Sequence, residues 1–254
     1  MNMEMKEKFI TLWKKYFDDA ELPITFYYTD ESGHADMAKV PENPTPGRRC
    51  IIGELHKVRN GKSLCYGGEQ VGCSGGKRYL GFAEGAAPNF EYFLSYGIPG
   101  KMEGERFKKS PEIVKEMGKY APRFKAPAKF VVFKRWDMLE ESDNPEVVTF
   151  FAKPDVIAGL FTLANFDESE PNAVFTPFCA GCGSAFQYPY LEGSSERPRC
   201  VLGMFDITAR PCVAEDELTF AAPMNKFTRM VENMEESFLI THAWELVHKR
   251  ISKS

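Results

Sequence analysis

Arg49-Cys50-Ile51-Ile52-Gly53 returns as Arg199-Cys200-Val201-Leu202-Gly203, a step of 150 residues from Cys50 to Cys200. Other matches fall at nearly the same step. Thr11-Leu12 stands against Thr162-Leu163, and the run at Ile24 stands against Val174. Leu80-Gly81-Phe82-Ala83, with Pro88 beyond it, stands against Leu218-Thr219-Phe220-Ala221 with Pro223. Self-similarity at a fixed step is how a duplicated unit shows itself in a sequence. The expectation is an α+β protein of two similar α/β halves, residues 1–125 and 154–254, joined by connecting strands at 126–153 into one compact unit. Short mixed or antiparallel strands would pack with amphipathic helices.

Working outward, Phe9, Leu12, Trp13, Tyr16 and Phe17 recur at helical spacing among lysines and glutamates, which predicts an amphipathic first helix over 4–17. Ile24 to Tyr28, Val131-Val132-Phe133 and Val147 to Phe151 are β-branched and aromatic runs and read as strands. Cys50 to Leu55 and Tyr79 to Ala83 read as short strands, as do Val174 to Thr176, Cys200 to Phe205 and Leu218 to Ala221. Thr29 to Gly47, rich in Pro, Gly, Asn and Asp, reads as a long surface loop. Helices are expected from Pro88 to a stop at Gly97, from Pro111 after the N-cap candidate Ser110, and after Pro154. A final helix is expected from about Pro223, burying Phe227, Met230, Val231, Met234 and Phe238 before a charged tail.

Composition narrows the function classes. With 254 residues, 43% of them hydrophobic, the chain can bury a large core. A formal net charge of −4 lacks the basic face that nucleic-acid binding needs. No apolar run approaches the roughly 18 residues of a membrane span, and the charges in Met1 to Phe17 break any signal-peptide core. The expected residence is cytoplasmic, without nucleic-acid or membrane partners. Seven cysteines in such a chain are expected as reduced thiols, which turns attention to metal binding, thiol chemistry or packing.

Cysteine and glycine crowd together in two places, Cys65-Tyr66-Gly67-Gly68 through Cys73-Ser74-Gly75-Gly76 and Cys179-Ala180-Gly181-Cys182. A Cys-x-x-Cys step lets two thiolates face one ion, and it is also the spacing of dithiol redox pairs. Cys65, Cys73, Cys179 and Cys182 together make a four-thiolate candidate suited to zinc or an iron-sulfur cluster. Gly67, Gly68, Gly75, Gly76 and Lys77 could present backbone N-H groups and a charge to a small anionic cofactor. Gly75-Gly76-Lys77-Arg78 is no phosphate-loop fingerprint, and with a strand expected after it no helix N-terminus is available there. Arg210 is a further anion candidate, set against a structural ion pair. His34 is the histidine candidate for catalysis, with Cys65 as its candidate partner. Cys50 and Cys200, inside apolar runs, are expected to pack.

Cys65-x-Gly-Gly68 followed by Leu80-Gly81-Phe82, the late Arg210, and Asp216-Glu217-Leu218 running to Pro223 carry a resemblance. Over about Pro23 to Phe238 the chain resembles the prokaryotic domain-of-unknown-function family DUF169. That resemblance implies a fold relationship and cytoplasmic residence, and no mechanism. The residues leave three readings open. The cysteine and glycine loops bind a metal, an iron-sulfur cluster or a small anionic cofactor; or the chain is a thiol-dependent enzyme or redox protein using Cys65 or Cys179; or it is a ligand-sensing or interaction module whose cysteines only pack. The partner is a small molecule or a metal, and a homo-oligomer stays open.

Overall fold

The computed structural model describes residues 1–40 and 50–252. One mixed eight-stranded sheet runs through the chain, formed by β1 (Ile24–Thr29), β2 (Asp36–Met37), β3 (Leu64–Gly67), β4 (Phe130–Arg135), β5 (Val147–Ala152), β6 (Val174–Phe175), β7 (Cys200–Gly203) and β8 (Leu218–Pro223). Its order is β2-β3-β4-β1-β5-β8-β7-β6. The helices are α1 (Met3–Phe17), α2 (Ile51–Glu54), α3 (His56–Arg59), α4 (Ser74–Tyr79), α5 (Phe90–Phe93), α6 (Pro111–Tyr120), α7 (Pro154–Asn165), α8 (Tyr188–Glu192), α9 (Met224–Asn233) and α10 (His242–Ile251). The α+β expectation holds. No helix among the described residues is long and apolar enough to cross a membrane.

Pairing is the same read from either edge. β2 is parallel to β3 and β6 to β7, the intervening pairs are antiparallel, and the two sets meet where β1 runs antiparallel to β5. The residues that suggested a repeat are not equivalent positions in this pattern. Cys200 opens β7, whereas Cys50 precedes the helix α2 and the strand in the matching place is β3. The pairing is symmetric, but internal duplication is not shown. The supposed connecting strands also change role, since β4 and β5 flank β1 at the middle of the sheet.

Strand alternation gives the sheet two faces. On one, Phe150, Val148, Ala222 and Cys200 meet Phe9, Trp13, Phe17, Leu160, Phe227 and Trp244 from α1, α7, α9 and α10. Trp13 stacks on Phe17 with ring centroids 4.2 Å apart. Each such side chain contributes roughly 1.5–3 kcal/mol by leaving water. Asn2 starts α1 as its N-cap, its side chain accepting from the N-H groups of Glu4 and Met5. On the other face Phe26, Phe133, Val147 and Ala221 are covered by Ile51, Ile52, Leu55, Val58, Leu80 and Phe186.

Several local expectations fail for physical reasons. Cys50 to Leu55 is not a strand: Ile51–Glu54 forms α2, whose Ile51 and Ile52 reach the sheet from a short helix. A brief apolar run carries no period that separates these states. Tyr79 ends α4, and the residues after it turn at Gly81, whose φ of +74 suits glycine. The presumed loop holds a 3-10 turn at Ser32–His34 and the edge strand β2, while residues 41–49 of it, including Arg49 of the repeat, lie outside the described residues. The charged tail contains α10, anchored by buried Trp244, whose indole donates to Tyr16 O at 2.9 Å.

Candidate functional site

Cys50, Cys73, Cys182 and Cys212 pack on the sheet face opposite α1. Cys182 is buried among Ile51, Val71, Leu80 and Met204, and Cys50, Cys73 and Cys212 pack against the same cluster half-buried. All seven cysteines are free. Cys73 is the N-cap of α4, its sulfur accepting from the Gly76 N-H at 3.2 Å. Cys50 caps α2. Cys179 and Cys182 precede the π-helical turn Gly183–Gln187, which the Thr149 hydroxyl of β5 ties to the sheet through Ala185 O at 3.0 Å. Cys212 ends the 3-10 turn Arg210–Cys212. Four of these thiols, Cys50, Cys73, Cys179 and Cys182, therefore come from loops and element ends rather than from strand interiors.

The crowding of glycine beside cysteine now has a steric cause. A Cβ on Gly76 would sit 2.9 Å from Cys73 Sγ, one on Gly183 3.0 Å from Cys179 Sγ, and one on Gly53 3.5 Å from Cys212 Sγ. At Gly76 and Gly183 glycine makes the room that the sulfurs occupy, while at Gly53 the spacing is ordinary contact.

Electrostatics tie the thiols to one another. Burial pushes the Cys182 thiol well above its ordinary value, and Cys73, Cys50, Asp206 and Cys179 push it further. Burial and then Cys212 push Cys50 up to about 12, against the lowering contribution of the Ile52 and Gly53 N-H groups. Burial and then Asp206 raise Cys179 to about 12, partly offset by its bonds to Ser184. The Asp206 carboxylate itself accepts from the Gly181 N-H at 3.0 Å and the Thr208 N-H at 3.0 Å. A buried thiol next to other sulfurs and a carboxylate stays protonated unless a cation joins them. Among the described residues, no group of three or more His, Cys, Asp or Glu side chains stands ready to hold a metal ion.

These shifts fix an alkaline limb of stability. Burial holds Cys200 at about 12 and Cys65 at about 11 in the fold, against an ordinary 9.0. A raised folded value leaves the contribution whole below pH 9 and removes it as pH rises from there toward the folded values. Thermal melts are expected to be flat up to that point and to decline above it, less steeply in Cys200→Ala. Equal slopes in the two proteins would contradict the assignment.

Cys65 lies elsewhere. It sits in β3 opposite Val132 of β4 and packs with Tyr27 and Val132, so strand alternation turns it to the face that α1 covers and away from Cys182. Cys65 therefore stands apart from Cys73 and Cys182, which pack in the cluster on the other face. Burial also leaves Cys65 wholly inaccessible.

The other candidates separate in the same way. His34 faces Tyr27 with ring centroids 5.9 Å apart, and its ring lies 3.3 Å from Glu31 Oε2 and 3.9 Å from Asp143 Oδ1. His34 and Cys65 are thus both neighbours of Tyr27, and no hydrogen bond joins them among the described residues. Gly67 closes β3 with its N-H donating to Gln70 Oε1 at 2.9 Å, and a Cβ on Gly68 would meet Phe82. Gly75, Gly76 and Lys77 lie within α4, so a helix stands where a glycine-rich loop was expected. Arg210 donates to the backbone carbonyls of Ala214, Glu215 and Glu217 and so staples a loop.

A family model described as "Uncharacterised ArCR", DUF169, matches residues 16–233. The chain belongs to this family. No curated protein and no solved structure matches it. The DUF169 match spans all seven cysteines and stops before α10.

Sequence reasoning read Cys50 as a packing residue and did not single out Cys212 or Asp206. The signal for Cys50 was its place just before a run too short to be periodic, and for Cys212 its neighbours Arg210 and Pro211, which mark a turn.

Proposed function

We propose that this DUF169 protein binds a soft metal ion or an iron-sulfur cluster through Cys50, Cys73, Cys179 and Cys182. One observation carries the reading: thiols from three remote segments meet on one sheet face as free cysteines. Burial holds the thiols of Cys50, Cys179 and Cys182 protonated, which favours this reading over nucleophilic catalysis. An attacking cysteine needs a lowered pKa, whereas a coordinated thiol is deprotonated by the ion itself. Because no ready-made ligand group stands among the described residues, loading must draw the sulfurs inward. Their seats at the ends of α2 and α4 and before the π-helical turn allow that movement better than a strand interior would. Metal analysis of protein purified without oxygen, wild type against Cys73→Ser with Cys182→Ser, tests the reading.

A further inference from the structure

A cavity of about 240 Å³ opens at the β6 edge of the sheet, between the loop that leads from α7 into β6 and the loop that leads from α8 into β7. Glu168 and Asn172 line it from the first loop, and Ser195, Arg197 and Arg199 from the second. The parallel pairing of β6 with β7 holds the two loops side by side, with the Cys200 N-H donating to Ala173 O at 2.8 Å. Glu168 is fixed from behind: its Oε1 accepts from the fully buried Lys226 ammonium at 2.6 Å and from Arg229 at 3.1 Å. The Lys226 ammonium holds the Glu168 carboxyl below the usual carboxylate range, so it is an anion at neutral pH. Its Oε2 lies 3.6 Å from Arg197 Nη2, beyond hydrogen-bond reach, and is the open acceptor of a side chain only 13% exposed. Open donors stand beside it. Arg199 gives Nε and Nη2 to Glu192 at 3.2 and 2.8 Å, and Arg197 gives Nη1 to Glu170, which leaves Arg199 Nη1 and Arg197 Nε unbonded among the described residues. The Asn172 amide likewise makes no hydrogen bond among the described residues.

We propose that this cavity binds a small zwitterion of the chemistry of a free α-amino acid, its ammonium on Glu168 Oε2 and its carboxylate on Arg197, Arg199 and Asn172. The proposal does not rest on the thiol set taking a metal. Size and charge select this class together. The volume falls below the roughly 300–1,000 Å³ of sites for drug-sized ligands, so the occupant is small. A lone anion would meet the Glu168 carboxylate and a lone cation would meet two guanidinium groups, and contacts between like charges reject a partner. One molecule carrying both charges satisfies both. The 3.6 Å between Glu168 Oε2 and Arg197 Nη2 requires those charges to be held close together, as they are when ammonium and carboxylate share one carbon atom.

The test is isothermal calorimetry with thermal melts on the full chain, using as probes the common α-amino acids one at a time, acetate, and ethylammonium. At least one amino acid is expected to give saturable heat and to raise the melting temperature, while acetate and ethylammonium at the same concentration do neither. Arg197→Ala should weaken that binding about tenfold or more, the usual loss of a hydrogen bond to a charged group. Arg197 is half-exposed, and Asn172→Ala, at an exposed position, serves as the second variant where Arg197→Ala does not fold. No binding by any amino acid, equal binding of acetate or ethylammonium, or an affinity unchanged in the variants would overturn the proposal.

Discussion

Replacing Asp143 with alanine is expected to cost about 3–5 kcal/mol of folding stability, the usual cost of stranding a buried charge. Asp143 is fully buried, and its carboxylate accepts from the Lys134 ammonium at 2.9 Å, from the Glu140 N-H at 2.7 Å and from the Tyr27 hydroxyl. Lys134 is only 3% exposed, so without Asp143 its charge keeps one partner, Glu140 at 3.2 Å, which is mostly in solvent. Tyr27, whose ionisation burial and Asp143 both oppose, would lose its acceptor. Urea unfolding of Asp143→Ala beside Asp143→Leu with Lys134→Met separates charge stranding from lost packing. The double variant should recover most of the loss, because apolar replacement of a whole buried pair is often neutral. Equal loss in both would place the effect in shape rather than in charge.

Gly203→Ala is expected to destabilise by about 1–3 kcal/mol and to displace the Cys179 to Cys182 segment. Its Cβ would fall 2.1 Å from Ser184 Oγ and 2.4 Å from Ser184 Cβ, with Thr219 Oγ1 at 2.9 Å. Ser184 cannot step aside cheaply, since its hydroxyl donates to Gly181 O at 3.0 Å and accepts from the Met204 N-H at 3.4 Å. The clash therefore passes straight into the turn that carries Cys182. Adding Ser184→Gly should restore part of the stability, and thermal melts of the single and double variants read the coupling directly. Additive losses would mean that the two positions do not meet.

How much of this was legible beforehand depended on local signal. β5 and β4 showed themselves because Val147 to Phe151 and Val131 to Phe133 are dense in residues that fit a pleated surface. α6 and α7 showed themselves through Pro111 and Pro154 at their first turns. α2 did not, because Ile51-Ile52 is too short to reveal a period, and α10 did not, because Trp244 is its single buried residue among charges. The order of the sheet was out of reach, since β1 finds its neighbours more than a hundred residues away at β4 and β5.

The site shows the same limit. Cys73, Cys179 and Cys182 could be singled out because each has glycine close by in the chain. The exclusion of Cys65 depends on β3 occupying residues 64–67, where a loop had been read, so that alternation turns its sulfur to the wrong face. Cys212 reaches Gly53 across the chain, a contact between distant segments that no spacing rule contains.

The most direct measurement is elemental analysis with an absorption spectrum on protein purified without oxygen or chelators, comparing wild type, Cys73→Ser with Cys182→Ser, and Cys65→Ser. The account predicts stoichiometric zinc, iron or copper in the wild type and in Cys65→Ser, and its loss in the double variant. A metal-free wild type, or metal that survives in the double variant and disappears with Cys65, would contradict it.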